Sequence, residues 1–434
     1  MNDHQEPVDL LIPRAKTFNS SAGRHVFFVH NSSIFDIPEE NIAPINFEDI
    51  FQGEALNADD FSVETALNTS PQSISLNVSS SCNLACSYCY ASRGNFDGAQ
   101  KKLMSAEVAY AAIDRLLETA NPAAPITVGF MGGEPFVNRK LIRQCVNYSA
   151  LEASKRSLDI RFSVTTNGTL LEECDLELIR NNRFAITVSV DGGSALQEKM
   201  RPGASLGFDT SLVSIKARLK PLLANPGLAK IAARATVTRN NLDLSQIAED
   251  ILELGFTEFG LSPLRNSKSP DGLSNVDWLT YLNGLKEISR KELSRALIGK
   301  SIRLTNFAVA LKQIHRGFRS PYPCGAGGGY FSIASNGDWY TCHRAIGDEK
   351  FKVGDSRGPQ SGPRERFLVD KHVNAQTDCT SCWAKYLCSG GCHQEVAQRT
   401  IASCDFVRDW LEFCLSSYIE LIDAKPVFFR SLSQ

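Results

Sequence analysis

Residues 74–90 read ISLNVSSSCNLACSYCY, a short apolar run that is followed closely by three cysteines. The alternation of apolar side chains up to Val78 predicts a strand, and the serines after it predict a loop. Cys82, Cys86 and Cys89 fall within this one loop, in the spacing C-x-x-x-C-x-x-C. Three sulfurs can therefore converge without help from distant parts of the chain.

Three convergent thiols indicate a metal or cluster site. Thiolates are the usual ligands of iron–sulfur clusters, and three of them leave one iron of a four-iron cluster open to a small chelating molecule. A zinc site with a distant fourth ligand is the alternative, because structural zinc takes four closed ligands. The position of the loop, directly after a first strand, favours the cluster.

The chain beyond this loop alternates between strand and helix patterns. Strands are predicted at 74–78, 126–130, 160–165, 185–190, 231–237 and 258–261, and helices at 105–118, 138–154, 172–180, 210–223, 244–254 and 276–297. Six strands separated by helices predict an α/β fold with a parallel sheet, open or partly closed as a partial (β/α)6 TIM-like barrel. Chemistry in such sheets gathers at the carboxyl ends of the strands.

Polar and glycine-rich segments follow three of the predicted strands. They are Gly132-Gly133-Glu134-Pro135 after the second strand, Thr165-Thr166-Asn167-Gly168 after the third, and Ser189-Val190-Asp191-Gly192 after the fourth, with Arg201 shortly beyond. Each one alone is an ordinary turn, and Arg201 alone is an ordinary surface residue. Their succession at consecutive strand ends favours a binding site.

A second group of cysteines occupies the last quarter of the chain. It comprises Cys324, Cys342, Cys379, Cys382, Cys388, Cys392 and Cys404, four of which form C-x2-C-x5-C-x3-C. The three cysteines that remain are Cys145, Cys174 and Cys414, and buried inert thiols are expected at Cys145 and Cys414.

Composition limits the class of protein. The 434 residues carry a net charge of −2 and are 43% hydrophobic, which gives no support for nucleic-acid or membrane binding. No apolar run reaches the length of a membrane span, and the first residues lack the features of a signal peptide. A cytoplasmic protein is expected, in which the 13 cysteines hold metals rather than disulfides.

The first cysteine group resembles the radical S-adenosylmethionine (SAM) superfamily, whose signature is C-x-x-x-C-x-aromatic-C with Tyr88 as the aromatic residue here. The resemblance implies a SAM-binding 4Fe-4S cluster and a 5′-deoxyadenosyl radical that removes a hydrogen atom from the substrate. It implies that Tyr88 contacts adenine. It further implies cofactor-binding roles for Gly132, Gly133, Glu134 and Pro135 at the SAM amino group, and for Thr166, Asn167, Ser189, Asp191 and Arg201 near the ribose and carboxylate.

The second group resembles the SPASM domain, a cysteine-rich C-terminal module of radical SAM enzymes that usually holds two auxiliary 4Fe-4S clusters. The resemblance implies three clusters in all. It assigns Cys379, Cys382, Cys388 and Cys404 to an outer cluster and Cys324, Cys342 and Cys392 to an inner one, with Cys414 as a substitute for Cys404. Residues 325–330 lack the further cysteine of fully ligated members, so one iron of the inner cluster is open or otherwise ligated. A pair of zinc ribbons is the alternative.

The resemblance also implies a substrate class. SPASM enzymes mostly modify ribosomally made peptides or proteins, so the expected partners are a precursor peptide with a leader segment and an electron donor such as flavodoxin or ferredoxin. The expected product is a cross-link, either C–C or ether at aromatic residues or a thioether. The sulfatase-activating branch typically has Asp after the cysteine equivalent to Cys342, where this chain has His343. A non-catalytic zinc protein remains the competing class.

His343 and His393 directly follow cluster cysteines and are candidates for moving a proton, although packing roles are equally expected. The predicted domains are an N-terminal cap or peptide-docking element at 1–70, with a hairpin of 24–29 and 33–37, and a radical SAM core at 71–300. A linker helix at 301–323, a separate SPASM domain at 324–405 and a C-terminal helix and tail at 406–434 complete the chain.

Overall fold

The computed structural model describes residues 15–38, 61–92, 102–205, 209, 212–265, 268–395 and 398–430. Much of the predicted N-terminal cap, at 1–14 and 39–60, lies outside these ranges, as does the start of the helix predicted at 210. Within the described ranges, no helix has the combination of length and apolar character that a bilayer span requires.

A small antiparallel sheet opens the described chain. It consists of β1 (Ala15–Ser20), β2 (Gly23–Phe28) and β3 (Ile34–Ile37), with β2 in the middle. The predicted hairpin is the β2–β3 pair, and β1 was missed. Lys16 of β1 forms an ion pair of 2.9 Å with Glu412 near the end of the chain, so the N-terminal sheet packs on the C-terminal helix.

Six parallel strands in chain order form the centre of a large second sheet. They are β4 (Ser73–Ser79), β5 (Ile126–Gly132), β6 (Ile160–Thr166), β7 (Phe184–Ser189), β8 (Lys230–Val237) and β9 (Phe259–Pro263). All six predicted strands are present, and the parallel α/β prediction is confirmed. One row of side chains packs in the core, including Phe130, Phe162 and Phe184, which stack across three neighbouring strands.

The other row of side chains forms what we call the inner face of the sheet. Its members include Ser75, Gly129, Ser163, Arg234 and Ser262, which alternate along their strands with the buried apolar residues. The inner face is therefore lined by small and polar groups, whereas the core face is apolar.

Twelve helices lie in the described ranges. They are α1 (Val63–Asn68), α2 (Ala106–Thr119), α3 (Arg139–Lys155), α4 (Glu173–Arg180), α5 (Ser194–Met200), α6 (Leu212–Ala224), α7 (Leu244–Glu253), α8 (Asn275–Leu297), α9 (Thr305–His315), α10 (Ser361–Lys371), α11 (Lys385–Cys388) and α12 (Ile401–Ala424). The helix starts follow capping rules: Ser105 accepts from the Val108 amide and Asp243 from the Gln246 amide. Gly255, with a positive φ of 98°, follows the end of α7 as the sequence predicted.

The C-terminal segment continues the central sheet instead of standing apart from it. Strand β10 (Tyr330–Ile333) pairs in parallel with β4, and β11 (Trp339–Tyr340), β12 (Lys352–Asp355) and β13 (Gly358–Pro359) extend the sheet antiparallel beyond it. The sequence did not predict these strands, because runs of two to four residues are too short to show a period of two. This pairing brings both cysteine groups onto one sheet.

Candidate active site

The first cysteine loop is held between two segments of backbone. On one side, the amides of Gly133 and Glu134 donate to the carbonyls of Ser79 and Ser81, each at 2.9 Å. A Cβ atom on Gly133 would lie 2.5 Å from the Ser81 carbonyl oxygen, and one on Gly132 would lie 2.3 Å from that of Ser79. These glycines therefore let the end of β5 touch the loop, whereas the sequence predicted that they approach a ligand.

The segment after α5 holds the other side of the same loop. The Ala85 amide donates to the Pro202 carbonyl at 2.7 Å, and the Ala204 amide donates to the Asn83 carbonyl at 2.9 Å. Asn83 also donates to Thr169 at 2.7 Å, just beyond the end of β6. The loop is thus fixed by the ends of β5 and β6 and by the segment after α5.

The thiols of the loop are reduced and desolvated. Burial raises the pKa of Cys82 to about 12, and the charges of Glu134, Cys86 and Cys89 raise it further, against a hydrogen bond from the Leu84 amide. Burial also raises the pKa of Cys86. Asn167 Nδ2 lies 3.9 Å from Cys82 Sγ as a second donor. An iron cluster would supply the positive charge that these thiolates need, so the donor set fits such a group.

The described residues contain no group of three or more His, Cys, Asp or Glu side chains placed to hold a metal ion. The three loop cysteines are nevertheless close enough to influence one another electrostatically, and none of them is in a disulfide.

Glu134 is fully buried at the end of β5 and links it to the end of β6. Its carboxylate accepts from Thr166 Oγ1 and the Asn167 amide, both at 2.8 Å, and from the Phe136 amide at 3.1 Å. Burial raises the pKa of Glu134 to about 7, although these three donors oppose the shift. The residue predicted to receive an ammonium group therefore already joins two strand ends, with the buried Pro135 next to it.

Tyr88, Asp191 and Arg201 form one buried cluster, although the sequence predicted them as separate SAM contacts. Arg201 makes two bonds to the Asp191 carboxylate, at 2.9 and 3.0 Å, and its guanidinium lies 5.4 Å from the Tyr88 ring centre. The Tyr88 hydroxyl donates to Asp191, which also accepts from the Thr236 amide at 2.8 Å. Burial opposes the charge of Arg201, but the charges of Asp191, Tyr88 and Cys86 together with the hydrogen bonds to Asp191 outweigh burial and raise the Arg201 pKa.

The cluster ties the cysteine loop to the ends of β7 and β8. Ser189, the last residue of β7, lies beside Arg234 of β8 on the inner face. No sequence signal connects Asp191 with Tyr88, because 103 positions separate them.

The three cysteines predicted for an inner cluster also lie together. Burial raises the pKa of Cys342 to about 12, and the charges of Cys392 and Cys324 add to the rise. The backbone amide of Arg344 donates to Cys342 Sγ at 3.4 Å, and its guanidinium lies 3.9 Å from Cys392 Sγ. A thiol set with the donors of Arg344 beside it suits a cluster.

The outer set lines an open pocket. Its lining includes Cys379, Cys382, Cys388, Cys392 and Cys404. Cys414 is instead fully buried in α12 and is not part of this lining. The thiols and the cationic Arg399, whose Nη1 lies 3.4 Å from Cys379 Sγ, fit an anionic cluster in this space.

Two tyrosines that the sequence analysis missed connect the cysteine groups across the inner face. Tyr90 directly follows Cys89 of the first group, and its ring centre lies 5.3 Å from the guanidinium of Arg344, two residues after Cys342 of the second. Its ring lies 6.0 Å from the His343 ring. The Tyr330 hydroxyl bonds to His343 Nδ1 at 2.9 Å and to Ser75 Oγ at 2.7 Å. The position of Tyr90, directly after Cys89, was the one available signal.

The two candidate histidines have different surroundings. Burial lowers the pKa of His343 to about 4, helped by Arg344 and Arg234, and this keeps the ring neutral at the inner face. Burial likewise lowers the pKa of His393 to about 4. Both ring nitrogens of His393 lack a hydrogen-bond partner, and the ring packs against Tyr322 and Phe367.

Comparisons with known proteins agree with this geometry. Residues 76–207 match the model of the radical SAM superfamily. A cysteine-type anaerobic sulfatase-maturating enzyme of Clostridium novyi (strain NT) is 25% identical over 338 residues, which cover 73% of this chain and 86% of that protein. Sporulation killing factor maturation protein SkfB of Bacillus subtilis (strain 168) is 28% identical over 187 residues, 43% of this chain and 40% of that protein.

A solved structure shows the same fold. Native anSMEcpe with bound AdoMet superposes with a TM-score of 0.68 at 19% identity, over 81% of this chain and all of that one. The cysteine loop and the segments that hold it all lie within the matched residues 76–207. This chain therefore carries a radical SAM domain and is an enzyme.

Proposed function

We propose that the chain is a peptide maturase that abstracts a hydrogen atom from a ribosomally made precursor peptide and installs an oxidative cross-link between side chains. A C–C or ether bond at an aromatic residue is the favoured product, and a thioether is the alternative. The observation that carries the proposal is the position of Tyr90, which directly follows Cys89 and whose ring lies 6.0 Å from the ring of His343, the residue after Cys342. Both cysteine groups thus border the same inner face.

Radical SAM enzymes use SAM and a 4Fe-4S cluster, which together supply a 5′-deoxyadenosyl radical. In this chain Cys82, Cys86 and Cys89 would hold the cluster, in a loop that the strand ends already fix. The ends of β5, β6 and β7 would border SAM. The Asp191–Arg201 pair positions Tyr88 beside the loop, so the aromatic residue keeps one orientation.

Two auxiliary clusters are part of the proposal. Cys379, Cys382, Cys388 and Cys404 would hold the outer one, and Cys324, Cys342 and Cys392 the inner one. A cross-link removes two hydrogens from the peptide: the first leaves as an atom, and the second leaves as a proton and an electron. The cluster on the inner set would accept that electron, and an external carrier such as flavodoxin or ferredoxin would exchange electrons with the enzyme.

The N-terminal sheet and the C-terminal cysteine segment would have separate roles in binding the peptide and the auxiliary clusters. Strands β1–β3 would form part of a docking element for the leader of the peptide, and residues 324–405 would be the SPASM domain. Phe27 of β2 packs 6.2 Å from Trp383, so a peptide bound at the N-terminal sheet would lie near the outer cysteines.

Oxidation of a protein side chain is the second candidate, because sulfatase-maturating enzymes are 25% identical over most of this chain. The residue after Cys342 argues against it. His343 is held by Tyr330 and kept neutral by burial, so this position carries an imidazole and not the carboxylate typical of that branch.

Anaerobic reconstitution tests the proposal. The protein should bind about twelve irons if three 4Fe-4S clusters are present, and it should release 5′-deoxyadenosine with SAM and a reductant. A peptide encoded beside the gene, co-expressed with the enzyme, should lose two hydrogens by mass spectrometry. The Cys174→Ala variant is the matched control, since this thiol lies outside both groups. Zinc in place of iron, or an unchanged peptide mass in the presence of SAM cleavage, would contradict the cross-linking proposal.

A further inference from the structure

Arg234 is a charged residue in the middle of β8, on the inner face. Its neighbours Ala233 and Ala235 are buried in the core, with exposed fractions of 1% and 0%, whereas the Arg234 side chain is open on the opposite face. The residues beside it in the sheet are Ser189 of β7 and Gly260 of β9. Because both are small, they leave room around the guanidinium.

The partners of Arg234 are neutral. Its Nε donates to Ser262 Oγ at 2.7 Å, and in the described part of the chain it makes no ion pair with a carboxylate. Glu395, the acidic group whose charge acts on Arg234, is already shared by Arg344 at 2.5 Å and Arg265 at 3.6 Å. This carboxylate therefore pairs with two other guanidinium groups and not with Arg234.

The charge around Arg234 favours an incoming anion. The like charge of Arg344 acts on Arg234, and the Arg234 guanidinium stays protonated in proteins. A guanidinium on an open face that no carboxylate of the described chain pairs is available to bind the carboxylate of a ligand. Two parallel N–H donors on Arg234 match the geometry of such a group.

The surroundings of Arg234 indicate the substrate as the source of the carboxylate. Tyr88, Asp191 and Arg201 lie at the carboxyl end of β8, where the Thr236 amide binds Asp191, and Arg234 lies two residues further inward. The charged groups that act on Arg234 are Arg344 and Glu395, which belong to the C-terminal cysteine segment. Arg234 therefore faces the space between the two cysteine groups, and the first cysteine loop lies further along the sheet.

We propose that Arg234, aided by Ser262, binds a carboxylate of the peptide substrate at the inner face of the sheet. The substrate would carry an aspartate, a glutamate or its C-terminal carboxylate next to the modified residue. This proposal rests on the peptide-maturase function, but its test does not require turnover.

The test compares two small probes that differ only in charge. Nα-acetyl-glutamate α-amide and Nα-acetyl-glutamine α-amide are titrated into the reconstituted enzyme with SAM present, and binding is followed by saturation-transfer NMR. The wild-type enzyme should bind the glutamate probe at least tenfold more tightly. Arg234→Gln should bind both probes equally, and Arg234→Lys should keep part of the preference.

Arg239→Gln is the matched control, because Arg239 lies just beyond the same strand and has its own acidic neighbour, Asp277, at 3.8 Å. It should keep the full preference for glutamate. Equal binding of both probes by the wild-type enzyme, or a preference that survives Arg234→Gln, would overturn the proposal.

The methionine carboxylate of SAM is the competing occupant, since Ser189 lies beside Arg234. Equilibrium dialysis with labelled SAM separates the two. Arg234→Gln should change SAM affinity less than twofold, and a loss of tenfold or more would assign the site to SAM and overturn the substrate proposal. Failure of the maturase function gives a different result: the co-expressed peptide keeps its mass, while the wild-type enzyme still prefers the glutamate probe.

Discussion

The two cysteine groups are built in different ways. Backbone hydrogen bonds from the end of β5 and from residues 202–204 fix the first loop, so its conformation depends on the sheet itself. The second group extends from Cys324 to Cys404, and its five members from Cys379 onward line one open pocket. Among the described residues, buried nitrogens of Arg344, His393 and Arg399 in this region lack hydrogen-bond partners, whereas the charged groups of the first region, Glu134, Asp191 and Arg201, are all hydrogen-bonded.

The first site is therefore preorganised by contacts within the chain, whereas the second site depends on the group that binds there. Buried polar atoms without partners destabilise a folded chain. A group bound among the second set of thiols would stabilise that region by interacting with these atoms. Substitutions in the two regions should therefore have different consequences.

The prediction with the largest expected effect compares cysteine variants of the two groups in SAM cleavage and in peptide modification. Cys86→Ala should abolish 5′-deoxyadenosine formation, because the loop would lose one of its three cluster ligands. Cys382→Ala should leave 5′-deoxyadenosine formation largely intact but abolish the loss of two hydrogens from the peptide. Each variant should lose about four irons, measured by iron analysis.

Cys174→Ala is the control for both variants and should behave as the wild type. Continued cleavage of SAM by Cys86→Ala would refute the assignment of the first loop. Equal loss of SAM cleavage in both variants would show that the two groups act as one unit.

The next prediction tests whether the first region is preorganised without a cluster. Asp191→Asn in the metal-free protein should lower the free energy of unfolding by about 3–5 kcal/mol, because it leaves the buried Arg201 unpaired. Asp159→Asn, which removes an exposed partner of Arg161 and Arg183, should cost about 0–1 kcal/mol. Urea denaturation measures both, and similar costs for the two variants would disprove the preorganised pair.

Much of the fold could be predicted from the sequence, because the six parallel strands are long enough to show their pattern. The strands of the C-terminal segment could not. Strand β10 pairs with β4 across some 257 positions, and only the folded sheet reveals that Ser332 lies against Ser75. The sequence therefore predicted a separate domain where the structure has a continuous sheet.

The candidate active site likewise has features that the sequence could predict and features that it could not. The spacing of Cys82, Cys86 and Cys89 is a local pattern, so the sequence predicted it directly. The pairing of Asp191 with Arg201 and the approach of the Tyr90 ring to His343 depend on how distant segments meet, which no local pattern encodes. Residues predicted as ligand contacts, such as Glu134, proved to bind other parts of the chain.

The pH dependence of stability gives a third test of the first region. The pKa of Glu134 is about 7 in the folded protein, against 4.5 in an unfolded chain. Between pH 4.5 and 7 the folded protein therefore holds one more proton than the unfolded chain. The contribution of Glu134 to the free energy of unfolding is thus fully present below pH 4.5. As the pH rises from 4.5 through 7, the free energy of unfolding should fall by about 3 kcal/mol.

Glu134→Gln should flatten this decline, measured as the free energy of unfolding of the metal-free protein at pH 5, 6, 7 and 8. Glu173→Gln, on an exposed carboxylate paired with Arg180, should keep the wild-type decline. An unchanged slope in Glu134→Gln would show that this carboxyl group stays ionised in the folded protein.

The smallest expected effect concerns the second region. Burial raises the pKa of Cys379, and Arg399 opposes that rise through an Nη1 contact of 3.4 Å to the sulfur. The same nitrogen donates to the Gly390 carbonyl at 2.8 Å and to Gln376 Oε1 at 3.0 Å, so Arg399 both supports the thiolate and fixes the loop.

Arg399→Gln should weaken iron retention in the second region about 10–100-fold, the usual cost of losing a residue that orients a metal ligand. Iron remaining after a chelator challenge measures this effect, with the exposed Arg366→Gln as control. If the first region is independent, SAM cleavage by Arg399→Gln stays at the wild-type rate while iron is lost, and a parallel decline of both would instead show that the shared sheet couples the two sites.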